Sequence, residues 1–404
     1  MNTQIFKTTA IMLLTSNFLM GGSCSNGFCG VVRPHIPSDI GKGTQLKAFN
    51  FTNKKEIKEG YSGWALLDNA GDNDIGENRF MAGVDVNSLL GDNDKLSLFG
   101  LVSSESLKSG KLSYTYPISW NSLIAEASYA HTNYTLVEPI PDTTGIGTMS
   151  SIEGKITYPM IDSKKEKLNF SLSLNKSNIT EEVDNGFFVA DNKKESYSGT
   201  VHIDYKVKNY PLFNLDTKHK LYIGLTTGNL SFANINDEEL DKITVNTRGS
   251  YTKINIDYSN TISLSKKISI ESSFKSQYAF NDKNLDDSES FTIGGTNGVK
   301  VYEEGSAYGT NGVFAKIEAK YKLLEFNGIN NSIGTFYEYG KVWDFENANL
   351  SLDTISAEDV GVGIYTNYKK FFSKIYIAFE LGDSETSTKD DENHRVIVQA
   401  GFVF

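Results

Sequence analysis

From about residue 61 to the last residue, apolar and polar positions alternate with a period of two. Side chains of a strand point to opposite faces in turn, so this pattern gives each segment one dry and one wet side. Leu112, Tyr114, Tyr116 and Ile118 alternate with Ser113, Thr115 and Pro117. Leu168, Phe170, Leu172 and Leu174 alternate with Asn169, Ser171 and Ser173. Tyr197, Gly199, Val201, Ile203, Tyr205 and Val207 alternate with Ser198, Thr200, His202, Asp204 and Lys206, and a similar run covers 268–280. The alternation predicts strands near 61–68, 78–87, 94–104, 109–118, 121–137, 149–159, 167–177, 196–208, 219–232, 249–258 and 267–281, then 312–322, 332–342, 359–368, 373–382 and 394–404.

Many of these runs exceed the five or six residues usual in globular sheets and match the about nine to eleven needed to cross a bilayer at a tilt. Tyr158, Tyr205, Tyr258 and Tyr321 fall near strand ends, as interfacial aromatic girdles require. The expected fold is therefore all-β: a transmembrane antiparallel barrel of about sixteen strands, an even number as bacterial barrels have. A soluble β-sandwich or β-helix is the alternative, with shorter strands and a core face richer in Leu and Val. In the last run His394, Val396, Val398, Ala400, Phe402 and Phe404 share one face, so Phe404 is a terminal aromatic of the kind that marks the barrel-closing strand for the assembly machinery.

Between the eleventh and twelfth runs lies a glycine-punctuated stretch of about thirty residues, 282–311, too long for a hairpin turn. It carries Phe291, Ile293, Val299, Val301 and Tyr302 among Gly294, Gly295, Gly298 and Gly305, so it has apolar groups to bury. The expectation is a loop that docks inside the barrel.

Ahead of the barrel, residues 1–23 read as a signal peptide: Lys7, an interrupted apolar core over 10–20, then Gly21, Gly22 and Ser23. A cytosolic N-terminal helix is the alternative. Residues 24–60 are too short for a domain with its own core and are expected to form a short periplasmic segment before the barrel at 61–404. The two cysteines, Cys24 and Cys29, fit a small disulfide loop, lipid attachment at Cys24, or inert thiols, and do not have the spacing of a redox or zinc pair.

The 404 residues carry a formal net charge of −11, with no Lys/Arg run of the kind that binds nucleic acid. The five histidines, His35, His131, His202, His219 and His394, have no metal-ligand spacing, and no nucleophile elbow or phosphate loop is present. No enzymatic activity, metal or cofactor is therefore expected. Acidic clusters such as Asp72-Asn73-Asp74, Asn236-Asp237-Glu238-Glu239 and Lys389-Asp390-Asp391-Glu392 read as solvated turns.

Four segments resemble the haemolysin secretion/activation family, the ShlB/FhaC-like outer-membrane transporters of two-partner secretion. Leu66-Leu67-Asp68-Asn69-Ala70-Gly71 with Ile75-Gly76 and Arg79 resembles the family's first hairpin. Ser88-Leu89-Leu90-Gly91-Asp92-Asn93-Asp94-Lys95-Leu96 resembles the turn before its third strand, and Ser113-Tyr114-Thr115-Tyr116-Pro117-Ile118 its next strand. Gly294-Gly295 through Gly305 resembles its long extracellular loop, which carries a Val-Arg-Gly-Tyr/Phe motif. The resemblance implies an outer-membrane pore that exports a secreted passenger protein, with outer-membrane lipid and the barrel-assembly machinery as further partners. It also implies that the loop folds back into the lumen and that its motif arginine meets an acidic residue in a Phe-x-Asp-x-Gly strand. Here the motif reads Val299-Lys300-Val301-Tyr302 and the strand Phe336-Tyr337-Glu338-Tyr339-Gly340, so the opposite charges remain while both residue types differ. The expected lock is Lys300 with Glu338. Family members carry periplasmic POTRA domains before the barrel. Here 43–51 is the only stretch expected to be a remnant of one, which leaves a passive porin-like channel or an adhesive barrel as the alternative functions.

Overall fold

The computed structural model describes residues 60–118, 122–136, 144–184, 189–212, 215–346, 354–382 and 393–404. The expected signal peptide, the rest of the N-terminal segment before Gly60, both cysteines and the 389–392 cluster lie outside the described residues. The wall is a closed antiparallel barrel of sixteen strands, each paired with its neighbours in sequence, with the last strand closing on the first. In chain order these are β1 (Gly60–Asp68), β2 (Arg79–Asn87), β3 (Lys95–Ser103), β4 (Lys108–Pro117), β5 (Ile124–Leu136), β6 (Thr144–Asp162), β7 (Glu166–Asp184) and β8 (Val189–Leu212). They continue as β9 (Leu215–Phe232), β10 (Gly249–Ser263), β11 (Ile268–Ala279), β12 (Asn311–Lys322), β13 (Ile329–Trp343), β14 (Ile355–Tyr368), β15 (Phe371–Glu380) and β16 (His394–Val403).

The alternation sorts the two faces. On β14, Val360, Val362 and Ile364 point outward and are exposed, while Ala357 and Asp359 point inward and are buried. On β12, Ile317 faces out and Phe314, Lys316, Glu318 and Lys320 face in. An apolar outer surface that meets no protein is what a strand wall needs where the solvent is lipid. Tyr158, Tyr205, Tyr258 and Tyr321 all lie toward the end of the barrel where the connections are short.

The wall is stepped. β1 and β2 have nine residues each, about 30 Å of strand, whereas β8 has 24, about 80 Å. Strands β6, β7 and β8 outrun the segments that alternation marks out. Their far ends, such as Gly145-Ile146-Gly147-Thr148 and Glu181-Glu182, run past the length needed to cross a bilayer and carry no sustained apolar face. The Asn236–Glu239 cluster is not a turn: it begins a helix, α1 (Ile235–Ile243). Asn234 caps it by accepting from the Asn236 N–H, and Asp237 and Glu238 sit favourably in the first turn.

The seam between β1 and β16 has the shortest ladder, from Trp64↔Val403 to Asp68↔Gln399. Three devices lengthen it. Phe404 exchanges both backbone hydrogen bonds with Gly63 (3.0 and 2.9 Å). The Asn69 amide stands in for a strand backbone, donating to Val396 O (2.9 Å) and accepting from Val398 N (2.7 Å). Asp68 takes a fork from Arg79 (2.9 and 3.1 Å) and a bond from Gln399 (3.0 Å). The opposite end of β2 is pinned by Asp94, which accepts from the N–H groups of Leu89 and Leu90 and from the Tyr114 hydroxyl.

Candidate functional site

The connection from β11 to β12 does not extend into solvent. Residues 284–293 and 298–300 are almost wholly buried, inside the barrel. Phe291–Thr292 pairs with Tyr308–Gly309 and narrows the loop's neck. Beyond that neck, Phe291, Ile293, Val299, Tyr302 and Ala307 pack on Phe314, Val342 and Ala357 of β12, β13 and β14. Gly340 makes room: a Cβ there would stand 2.8 Å from that of Ile293. Gly295 lies in the left-handed region (φ +89°), where the chain turns back so that its N–H reaches Tyr302 O (2.9 Å).

Lys300 and Glu338 are brought together. The Lys300 ammonium pairs with Glu338 Oε1, and the Lys300 backbone N–H donates to Oε2 (3.1 Å). Both side chains are essentially fully buried. The ammonium also lies over the rings of Phe336 (4.7 Å) and Tyr376 (5.3 Å), which supply the face that a guanidinium would otherwise stack on. Of the remaining motif residues, Gly294 lies within the turn, where an added Cβ would stand 2.0 Å from Glu303 O. Gly305 takes positive φ (+85°) on the return limb. Phe404 sits on the outer face at the short-turn end of the seam and is 39% exposed, so it is no part of the lumen.

The loop has many more holds than this pair, and sequence reasoning missed them. Asp359 on β14 accepts from Val301 N (3.0 Å), and Tyr302 OH donates to Glu380 on β15 (2.6 Å). Arg395 on β16 donates to Tyr302 O and to Gly71 O (2.9 and 2.8 Å), clipping the loop and the first hairpin to the seam. Across the lumen, Lys194 on β8 reaches Asp286 (2.7 Å), and Lys253 on β10 donates to Glu289 O and pairs with its carboxylate (2.6 and 2.8 Å). Gln277 on β11 donates to Glu289 O and Thr310 O. Glu304 lies 3.5 Å from Arg79. These partners are remote in sequence and follow no motif; their only advance signal was a charged residue on the inward parity of a strand.

Carboxylates crowd the long-loop end. Glu303 accepts from Asn73 N (3.2 Å). Burial, with the Asp72 charge adding, pushes the Glu303 carboxyl up to about 7. Burial, with Asp74 adding, pushes Asp72 up to about 6.

The family model of haemolysin secretion/activation proteins ShlB/FhaC/HecB matches residues 50–363. The chain belongs to this family. Among curated relatives, the heme/hemopexin transporter protein HuxB of Haemophilus influenzae strain 86-028NP is 25% identical over 332 residues, which are 80% of this chain and 57% of that protein. HuxB from strain ATCC 51907 is 24% identical over the same shares. The chain thus spans little more than half the length of these relatives. Among solved structures, CdiB from Escherichia coli superposes with a TM-score of 0.69 at 13% identity, over 85% of this chain and 63% of that one. CdiB from Acinetobacter baumannii gives 0.61 at 15%, over 86% and 60%. BamA from Haemophilus ducreyi lacking POTRA domains 1–3 gives 0.57 at 12%, over 86% and 70%. The structural likeness carries the fold, and the family carries the location: the barrel is an outer-membrane one, with short turns facing the periplasm and long loops facing outward.

Proposed function

We propose that this chain forms the translocation pore of a two-partner secretion transporter and that the loop between β11 and β12 is its gate. The observation that carries the reading is the double engagement of Glu338 by Lys300, through both side chain and backbone, inside a barrel of this family. Such a loop fits a pore that stays shut until a partner protein displaces it. It fits a permanently open porin poorly, because the holds on β8, β10, β13, β14, β15 and β16 stretch the loop across the lumen. Outer-membrane lipid faces the apolar outer wall, and the assembly machinery reads the terminal strand with Phe404. The chemistry required is passage rather than bond-making, so the reading is of a transporter and not an enzyme. Export is tested by expressing the chain with the candidate secreted partner and following that partner in the medium. Accumulation outside that depends on the chain supports the reading. Equal release from cells lacking the chain overturns it.

A further inference from the structure

The inner wall at the periplasmic mouth carries a row of lysines that the gate does not use. Lys167 on β7, Lys206 on β8 and Lys220 on β9 are direct cross-strand neighbours, and Lys208 stands opposite Lys218 one step nearer the mouth. Their parity is that of His202 and Asp204, opposite to the exposed outer residues Val201 and Ile203, so they face the lumen. Like charges placed directly opposite on a sheet destabilise it. Lys167 has Asp162 at 2.8 Å as a counter-charge, and Asp216 shares the inward parity of Lys218 at the very rim. Asp204, deeper in the lumen, lies 3.3 Å from His202. Among the described residues, Lys206, Lys208, Lys218 and Lys220 have no ion pair within 4 Å, and the first three are exposed. This occurs in a chain whose net charge is −11.

We infer that this stretch of wall captures an acidic segment of the exported polypeptide as it enters from the periplasm; the inference rests on the pore reading above. The charge selects an anion, and the inward parity selects something inside the lumen over a lipid headgroup. The spacing suits an extended chain. Rows on adjacent strands are about 4.8 Å apart, and same-face positions along a strand about 6.6 Å, close to the repeat of carboxylates on every second residue of an extended peptide. Exposed lysines bind weakly and reversibly, which suits a segment that must be passed on.

The test is binding of a fluorescent twelve-residue oligoglutamate to the full chain in neutral detergent, read by anisotropy. The parent should bind it, with affinity falling as salt rises. Replacing Lys206, Lys208, Lys218 and Lys220 together with Ser should weaken binding by about fifteenfold, the product of about twofold from each of the three exposed lysines and the half-buried Lys220. The four-arginine variant, which keeps the charge, should bind like the parent. Lys266→Ser with Lys267→Ser, in a periplasmic turn, should change nothing. Parent-like binding by the four-serine variant overturns the proposal. So does an equal loss from the turn variant, which would mark a diffuse basic rim. Phosphatidylglycerol micelles that bind the parent in place of the peptide, and lose binding in the same four-serine variant, overturn it in favour of a headgroup site. Failure of partner export leaves this readout untouched, so the two readings fall separately.

Discussion

Replacing Glu338 with Gln removes one charge and one acceptor from the lumen while leaving the shape of the side chain almost unchanged. The native carboxylate serves two donors at once, the Lys300 ammonium at Oε1 and the Lys300 backbone N–H at Oε2. A carboxamide has one acceptor oxygen, so it satisfies one donor and presents its own N–H groups to the other. Breaking a buried pair by removing one partner costs about 3–5 kcal/mol. Here the stranded ammonium keeps two aromatic faces, and Asp359 occupies the next strand opposite Glu338. The lower end, about 3 kcal/mol, is therefore expected, which raises the undocked fraction about 150-fold. Lys300→Met should cost less, about 1–2 kcal/mol, because Glu338 keeps the backbone N–H and has Lys316 at 3.7 Å. The double variant leaves no stranded charge and should be milder than Glu338→Gln alone. The assay is maleimide labelling of a Val299→Cys probe, fully buried in the docked loop, with Cys24 and Cys29 replaced by Ser. With fast reclosing, the labelling rate follows the open population. A Glu338→Gln rate within threefold of the parent, or a double variant equal to the sum of the singles, would refute the idea that this pair holds the loop.

Normalised to an always-exposed cysteine, which corrects for the loss of reactive thiolate at low pH, the same probe should label more slowly at pH 5 than at pH 8. Burial of the docked loop raises the Glu303 carboxyl to about 7, so the docked loop binds more protons than the free one. Its stability therefore falls as the pH rises through that window, and Glu303→Gln should flatten the profile. Gly340→Val should release the loop at a cost of about 1–3 kcal/mol, since its branch meets Ile293. The closed barrel should survive, judged by heat-modifiable mobility; loss of that mobility would show that Gly340 serves the wall instead. Arg79→Met leaves Asp68 buried with only Gln399 and backbone as partners and removes the guanidinium 3.5 Å from Glu304. It should destabilise the barrel by about 3 kcal/mol, seen as a lower unfolding midpoint in gel mobility against temperature. An unchanged midpoint would mean the fork contributes nothing at the seam.

What the sequence made legible was set by where lipid presses on the chain. The outer faces of β12 and β14 had to be apolar at every second residue, so their positions could be read directly. The far ends of β6, β7 and β8 run past the length a bilayer requires, so no lipid forces an apolar outer face on them. Helix α1 was hidden for a different reason. Asn234 before an acidic first turn is a helix-start signal, but nine residues with little apolar content read equally well as a charged loop. In the lumen, Lys300 and Glu338 were found because both stand inside family motifs. Lys194 with Asp286, 92 residues apart, and Arg395 with Tyr302, 93 apart, are joined only by the closure of the wall. Periodicity along the chain carries no information about which inward charges meet.

The number of holds constrains how the gate can work. Lys194–Asp286, Lys253–Glu289, Lys300–Glu338 and the Asp359 and Arg395 hydrogen bonds all involve a charged group. Each contributes about 1.5–3 kcal/mol when buried. Losing three together costs about 5–9 kcal/mol, so thermal motion alone would empty the lumen in only about one molecule in several thousand or fewer. A ligand shifts such an equilibrium only by the difference in its affinity for the two states. On the proposed reading, an exported chain must therefore make contacts in the open lumen that it cannot make in the closed one. The inward charges that hold the loop, freed by its departure, are the groups placed to make them: anions on β13, β14 and β15, cations on β8 and β10. On this account the loop and the passenger compete for one set of side chains. Weakening the lock at Glu338 would then open the pore to ions while also weakening the wall's hold on the passenger.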